Sequence, residues 1–97
     1  YTSGQIPVNP ATGEIPEGIE AQAEQVMENV KNLLESAGTS MANVIKTTVF
    51  IKDMGEFTKI NEIYARYFEG DCPARSCVEV ARLPKDVLME MEAIALK

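Results

Sequence analysis

Pro73-Ala74-Arg75-Ser76-Cys77-Val78-Glu79-Val80 is followed, past Leu83-Pro84-Lys85-Asp86, by Val87-Leu88-Met89-Glu90-Met91-Glu92. Both runs read as strands, and the Pro-containing link between them predicts an antiparallel hairpin. In the second run Val87, Met89, Met91, Ala93 and Ala95 share one face at period two. Glu90 and Glu92 then fall on the other face, between Leu88 and Ile94. A carboxylate among apolar neighbours is costly to bury without a partner or a task. Arg75 and Cys77 share one face of the first run. With the turn centred near Pro84, two registers fit, and they place Glu90 opposite Cys77 or Glu79, on the same face as Arg75. Arg75 would then lie roughly 7 to 13 Å along the strand from Glu90. A guanidinium and a carboxylate at that spacing can hold a small molecule between them. A structural ion pair, or two solvated side chains, is the ordinary alternative.

Outward from this pair, the chain reads as strand, helix, strand, helix and two strands. Tyr1 to Gln5 suits a short strand, followed by a loop rich in Pro, Asn and Gly through Gly18. Between Ile19 and Ala37, residues Ile19, Ala23, Val26, Met27, Val30, Leu33, Leu34 and Ala37 recur at helical spacing, and Gly38 supplies the stop. Val44 to Ile51 is rich in β-branched residues and predicts a buried strand. Asp53 and Glu56 fit a capping box, opening a second helix whose apolar face (Phe57, Ile60, Ile63, Tyr64, Tyr67, Phe68) runs to Gly70. On this reading Tyr64 belongs to the core. The expected architecture is α+β, a mixed sheet with both helices packed on one face. The other sheet face has nothing from this chain to cover it, which predicts self-association.

Composition narrows the function. Ninety-seven residues make a single domain near the lower size limit for a self-sufficient core. A net charge of −6 opposes a phosphate-binding surface, so no nucleic-acid partner is expected. No apolar run approaches membrane-spanning length, and no membrane partner is expected. Two cysteines, Cys72 and Cys77, are too few and too close for a secreted disulfide framework, which points to a reducing intracellular compartment, cytoplasmic or, as the alternative, organellar. The chain has no histidine, so proton transfer falls to a carboxylate, tyrosine, lysine, thiol or water.

Pro73 to Val87, followed by a strand of the pattern apolar-Glu-apolar-Glu-Ala-Ile-Ala, resembles the carboxy-terminal signature of the RidA/YjgF family of reactive enamine/imine deaminases. The resemblance extends through Thr2 to Pro7, Asn9-Pro10 with Thr12-Gly13-Glu14, Gln22-Ala23, Glu28 to Lys31 and Val44 to Phe50. It thus covers essentially the whole chain as one domain, residues 1–97. It implies a chorismate-mutase-like homotrimer packed around a central barrel, with ligand sites in the clefts between subunits. It implies cofactor-independent hydrolysis of 2-imino acids, short-lived products of pyridoxal-phosphate enzymes such as threonine and serine dehydratases, to a 2-keto acid and ammonia. Neither a metal nor a cofactor is implied.

The resemblance also implies residue roles. Arg75 matches the arginine that grips the substrate carboxylate, a task suited to a planar guanidinium. Glu90 matches the glutamate that orients or deprotonates the attacking water; its neighbour Glu92 points the same way, so periodicity alone does not choose between them. Cys77 matches a position that meets ligand through its backbone. A nucleophilic thiolate there is disfavoured, because no histidine can serve as its base. Ser3 and Gly4 match a segment whose hydroxyl and backbone N–H groups approach the ligand, although Gly4 is also explained by packing within a strand. Asn61 matches a polar helix position able to face a neighbouring subunit's site, and is otherwise an ordinary polar helix residue. Cys72 stands where relatives often carry an aromatic residue. Tyr1 lies inside what resembles the family's second strand, so the first strand and its pocket tyrosine are expected to be missing, leaving a sheet edge. A noncatalytic module that binds small carboxylates in the same cleft is the alternative function. Ribonuclease activity is a weaker third option.

Overall fold

The strand of highest β-propensity organises the sheet. In the computed structural model, which describes residues 1–97, Val44–Ile51 (β1) is the central strand of three. Ala74–Glu79 (β2) pairs with β1 in parallel, and Met89–Ala95 (β3) pairs with its other edge antiparallel. The helices Ile19–Ser36 (α1) and Phe57–Ala65 (α2) complete the order α1-β1-α2-β2-β3. β1 and β2 are parallel because α2 supplies the crossover that a parallel pair needs.

This topology corrects the expected hairpin: β2 and β3 do not pair, because β1 lies between them. The nine residues from Val80 to Leu88 exceed an ordinary hairpin loop, and they carry the chain around the end of β1. At that end Val80 N–H donates to Ile51 O on one edge, and Lys52 N–H donates to Leu88 O on the other. The expected turn at Leu83-Pro84-Lys85-Asp86 does form, as a tight turn in which Lys85 and Asp86 adopt left-handed backbone at φ 56° and 55°. It turns the chain across a strand rather than back along one.

Both helices cover one sheet face, as expected. Val26, Met27, Val30 and Leu34 of α1 and Ile60, Ile63 and Tyr64 of α2 pack with Val49, Ile51, Met89, Met91 and Ala93 in one core. α1 stops where Gly38, at φ 90°, permits a left-handed cap in which Thr39 N–H reaches Leu34 O and Gly38 N–H reaches Glu35 O. α2 stops before Gly70. The N–H groups of Arg66, Tyr67 and Phe68 each bond the carbonyl three residues back, so the last turn tightens out of α-helical geometry. The capping box at its start is half formed: Asp53 Oδ1 accepts from Gly55 N–H at 2.8 Å, whereas Glu56 pairs with Lys59.

The other face carries Lys46, Thr48 and Phe50 from β1, Ser76 and Val78 from β2, and Glu90, Glu92 and Ile94 from β3. Neither helix covers it, and Val78 is 42% exposed. The amino-terminal segment runs antiparallel beside β3 as an extended edge with one bridge, Gln5 to Met91, rather than a full strand. Thr2 N–H donates to Ala93 O, and Gln5 exchanges both backbone bonds with Met91. Two residues on one side, Ser3 and Gly4, thus stand opposite one on the other, Glu92, which makes a β-bulge.

Candidate functional site

Arg75 pairs in register with Thr47, whose side chain is buried beneath α2. Its guanidinium therefore rises on the helix-covered face, against a stripe of α2. Phe57, Asn61 and Tyr64 stand at i, i+4 and i+7 and so share one helical face. Arg75 Nη1 donates to Asn61 Oδ1 at 2.7 Å. Its Cζ lies 5.1 Å from the Phe57 ring centroid and 4.8 Å from that of Tyr64. No carboxylate comes within ion-pair distance; the salt bridges of the chain involve Lys59, Arg66 and Arg82. The cation is thus held in place by neutral groups, with its charge uncompensated. Asn61, Tyr64, Ala65, Cys72, Pro73 and Arg75 line a cleft of about 290 Å³ beside it.

Cys77 lies two residues further along β2 on the same face, half-buried against the core. Burial pushes its thiol pKa up, and nearby Arg75 offsets only part of that shift. The thiol is therefore protonated at neutral pH, the opposite of an activated nucleophile. Cys72 is exposed at the cleft's rim.

Glu90 belongs to a different surface. It pairs with Phe50 and alternates with the fully buried Met89 and Met91, so it projects from the face away from the helices. The expected placement of Arg75 and Glu90 on one face is corrected: they lie on opposite faces, with β1 between their strands. The physical reason is the register, since residues 47 and 50 of β1 differ by an odd number and alternation turns them opposite ways. Glu90 instead meets the amino-terminal bulge. A Cβ built on Gly4 would stand 2.8 Å from Glu90 Cδ and Oε2, so the carboxylate occupies the space a side chain would take. Ser3 is exposed beside it, its Oγ and carbonyl accepting from Gln5 Nε2. Glu92 points into a separate groove with Tyr1, Thr2, Lys46 and Thr48. The bulge therefore distinguishes two glutamates that periodicity left equivalent.

The residues singled out from the sequence thus fall into two separate groups: Arg75, Asn61 and Cys77 on one face, and Ser3, Gly4 and Glu90 on the other. The Endoribonuclease L-PSP family model matches residues 1–97. A RutC family protein of Pasteurella multocida is 60% identical over 100 residues, covering 99% of this chain and 78% of that one. The 2-iminobutanoate/2-iminopropanoate deaminase of Escherichia coli is 54% identical over 99 residues, covering 99% of this chain and 77% of that one. The chain belongs to the RidA/YjgF family. Among solved structures, Escherichia coli TdcF with bound serine shares 52% identity at a TM-score of 0.95, covering 99% of this chain and 78% of that one. The Escherichia coli YjgF gene product, also 52% identical, superposes with a TM-score of 0.93 and the same coverages.

Sequence reading of this RidA/YjgF chain missed three contributors around its arginine. Tyr64 lies in the core as expected, yet its ring also supports Arg75, together with that of Phe57 from the same apolar helix face, and Thr47 shares a hydrogen bond with the Tyr64 hydroxyl at 2.8 Å. The signal was present in the i, i+4, i+7 spacing that places both rings in line with Asn61. It pointed to a site only once β2 was known to lie beside α2. No helix of the chain is long and apolar enough to cross a membrane.

Proposed function

We propose that this protein hydrolyses 2-imino acids, 2-iminobutanoate and 2-iminopropanoate, to the 2-keto acid and ammonia, without a cofactor. The observation that carries this reading is Arg75: a preorganised cation whose neighbours are two aromatic rings and an amide, with no carboxylate to neutralise it. Such a group awaits an exogenous anion, and the carboxylate of a 2-imino acid fits its fork bidentately.

With the carboxylate fixed, the imine carbon is the electrophile. Water adds to that carbon of the protonated imine while Glu90 accepts a water proton, giving a neutral carbinolamine. Glu90 then returns this proton to nitrogen, and as the C–N bond breaks the same carboxylate takes the hydroxyl proton, so that the oxygen becomes the keto oxygen and ammonia departs. Cys77 contributes backbone, not sulfur. Asn61 holds Arg75, and Ser3 and Gly4 frame Glu90.

Arg75 and Glu90 of one chain cannot grip the same small molecule, because β1 and the thickness of the sheet separate them. A complete site requires the Arg75 half from one copy and the Glu90 half from another. A homotrimer packed through the uncovered sheet face would bring them together, with Asn61 approaching a neighbour's Glu90 half. A cytoplasmic setting accords with the two free thiols, Cys72 and Cys77.

The test is keto-acid release in a coupled assay with threonine dehydratase. The parent protein accelerates it, and Arg75→Ala abolishes the acceleration; equal acceleration by Arg75→Ala would remove the basis of the assignment. A noncatalytic role has one observation in its favour, the similar TdcF structure that holds serine. Binding of 2-oxobutanoate with no turnover would select it. The endoribonuclease named by the family description fits less well, since 9 basic residues face 15 acidic ones and histidine is absent.

A further inference from the structure

Thr47 is an anomaly on the central strand. It is 1% exposed, on the face where β1 otherwise offers Val44, Val49 and Ile51 to the core. Valine has nearly the same shape and buries no hydroxyl, so a core chosen for stability alone would carry it. The Thr47 hydroxyl is spent on one neighbour, the hydroxyl of Tyr64, at 2.8 Å. That contact pins the far end of a ring already flanked by Phe68, whose centroid is 4.8 Å away. Arg75 lies over the same Tyr64 ring at 4.8 Å. A hydroxyl on β1 thus acts through a ring on α2 upon a guanidinium on β2, and these are the three elements of the βαβ crossover.

We propose that Thr47 and Tyr64 are positioning residues for Arg75. Their buried hydroxyl pair fixes the Tyr64 ring, and that ring, with Phe57, fixes the plane of the guanidinium. Asn61 occupies one N–H of the five that an arginine offers, which leaves four donors for an incoming carboxylate. The hydroxyl pair also explains why Tyr64, rather than phenylalanine, stands at a buried position. A phenol is neutral at physiological pH and burial pushes its pKa higher still, so no anion competes for the Arg75 cation. The inference rests on the reading of Arg75 as the carboxylate clamp.

The test uses the full chain and compares Thr47→Val, Thr47→Ser, Tyr64→Phe and the double variant Thr47→Val/Tyr64→Phe. Each is assayed for KM and kcat in the dehydratase-coupled reaction, for 2-oxobutanoate affinity by calorimetric titration, and for melting temperature. The double variant removes both hydroxyls together, which leaves no orphaned buried group and keeps stability near the parent's. It is expected to raise KM and the 2-oxobutanoate Kd together by about 3- to 10-fold with kcat nearly unchanged, the pattern of lost ground-state positioning. Thr47→Ser, which keeps the hydroxyl, is expected to bind as the parent does. Parent-like KM and Kd in the double variant would overturn the proposal, as would equal defects in Thr47→Ser and Thr47→Val, which would mean packing alone. If Thr47→Val does not fold, Tyr64→Phe and the double variant carry the same comparison. The clamp reading fails separately: it falls if Arg75→Ala retains parent turnover, whereas an inactive Arg75→Ala beside a parent-like double variant overturns only the positioning role.

Discussion

The Glu90 carboxylate rests on the backbone of Gly4, in the space where any other residue would place its Cβ. That Cβ would come within 2.8 Å of Cδ and Oε2, closer than carbon contacts allow. Gly4→Ala must therefore push the Glu90 side chain aside or spread the amino-terminal segment from β3. Because Glu90 is the proposed acid–base group, the expected result is a kcat lowered by about 10- to 100-fold, as for misplaced catalytic groups, with KM less affected. The melting temperature should fall only slightly, since the bulge lies on an exposed edge. Parent kcat in Gly4→Ala would show that Glu90 can move without consequence.

The Cys77 thiol provides a direct chemical check on its demotion. Burial raises its pKa more than Arg75 lowers it, so the folded state keeps it protonated through neutral pH. Iodoacetamide should modify Cys77 slowly at pH 7.5, and faster only as pH rises past the usual thiol range. In denaturant, where the burial is lost, the reaction at pH 7.5 should accelerate. Peptide mapping by mass spectrometry separates Cys77 from exposed Cys72. Rapid alkylation of Cys77 at neutral pH in the folded protein would restore the nucleophile reading.

Gln22 is a polar residue inside α1's buried stripe, and its amide joins two distant segments. Nε2 donates to Pro16 O at 3.0 Å, and Oε1 accepts from Leu88 N–H at 2.8 Å, two residues before Glu90. Gln22→Leu keeps the bulk but strands both partners. It should cost about 1 to 3 kcal/mol, the usual penalty for unsatisfied buried polar groups, read as a lower urea midpoint. An unchanged midpoint would mean that water replaces the amide at both ends.

The strands themselves were legible because alternation is a local signal. Met89, Met91 and Ala93 announced the buried face of β3, and the β-branched run from Val44 announced β1. Alternation tells which way a side chain points relative to its own strand, but it does not name the neighbouring strand. Leu83 to Asp86 had the chemistry of a turn and became one, yet the chain between β2 and β3 was long enough to pass around β1. That single misassignment of neighbours put Arg75 and Glu90 on one face. Their residue types could still be singled out as unusual, since charge inside an apolar pattern is visible without topology. Support from Phe57, Tyr64 and Thr47 was not visible, because it depends on three elements meeting. Only the family resemblance implied a site between subunits, since how copies of the chain meet is written in no single strand or helix.

The two-faced arrangement makes a prediction that no single-chain site could satisfy. Let Arg75→Ala and Glu90→Gln be prepared separately; each homooligomer has a defective half at every site and should be inactive. On the proposed homotrimer, the two variants unfolded together in equal amounts and refolded should form mixed rings. A site is then intact where the Arg75 half comes from a Glu90→Gln subunit and the Glu90 half from an adjoining Arg75→Ala subunit. Random mixing in a closed ring with one such contact per subunit makes about a quarter of the sites intact, whatever the ring size. Recovery of roughly that fraction of parent turnover in the coupled assay is the expected outcome, with no recovery when the variants are mixed without unfolding and do not exchange. If both half-sites belonged to one chain, every site would carry one lesion or the other, and co-refolding would recover nothing.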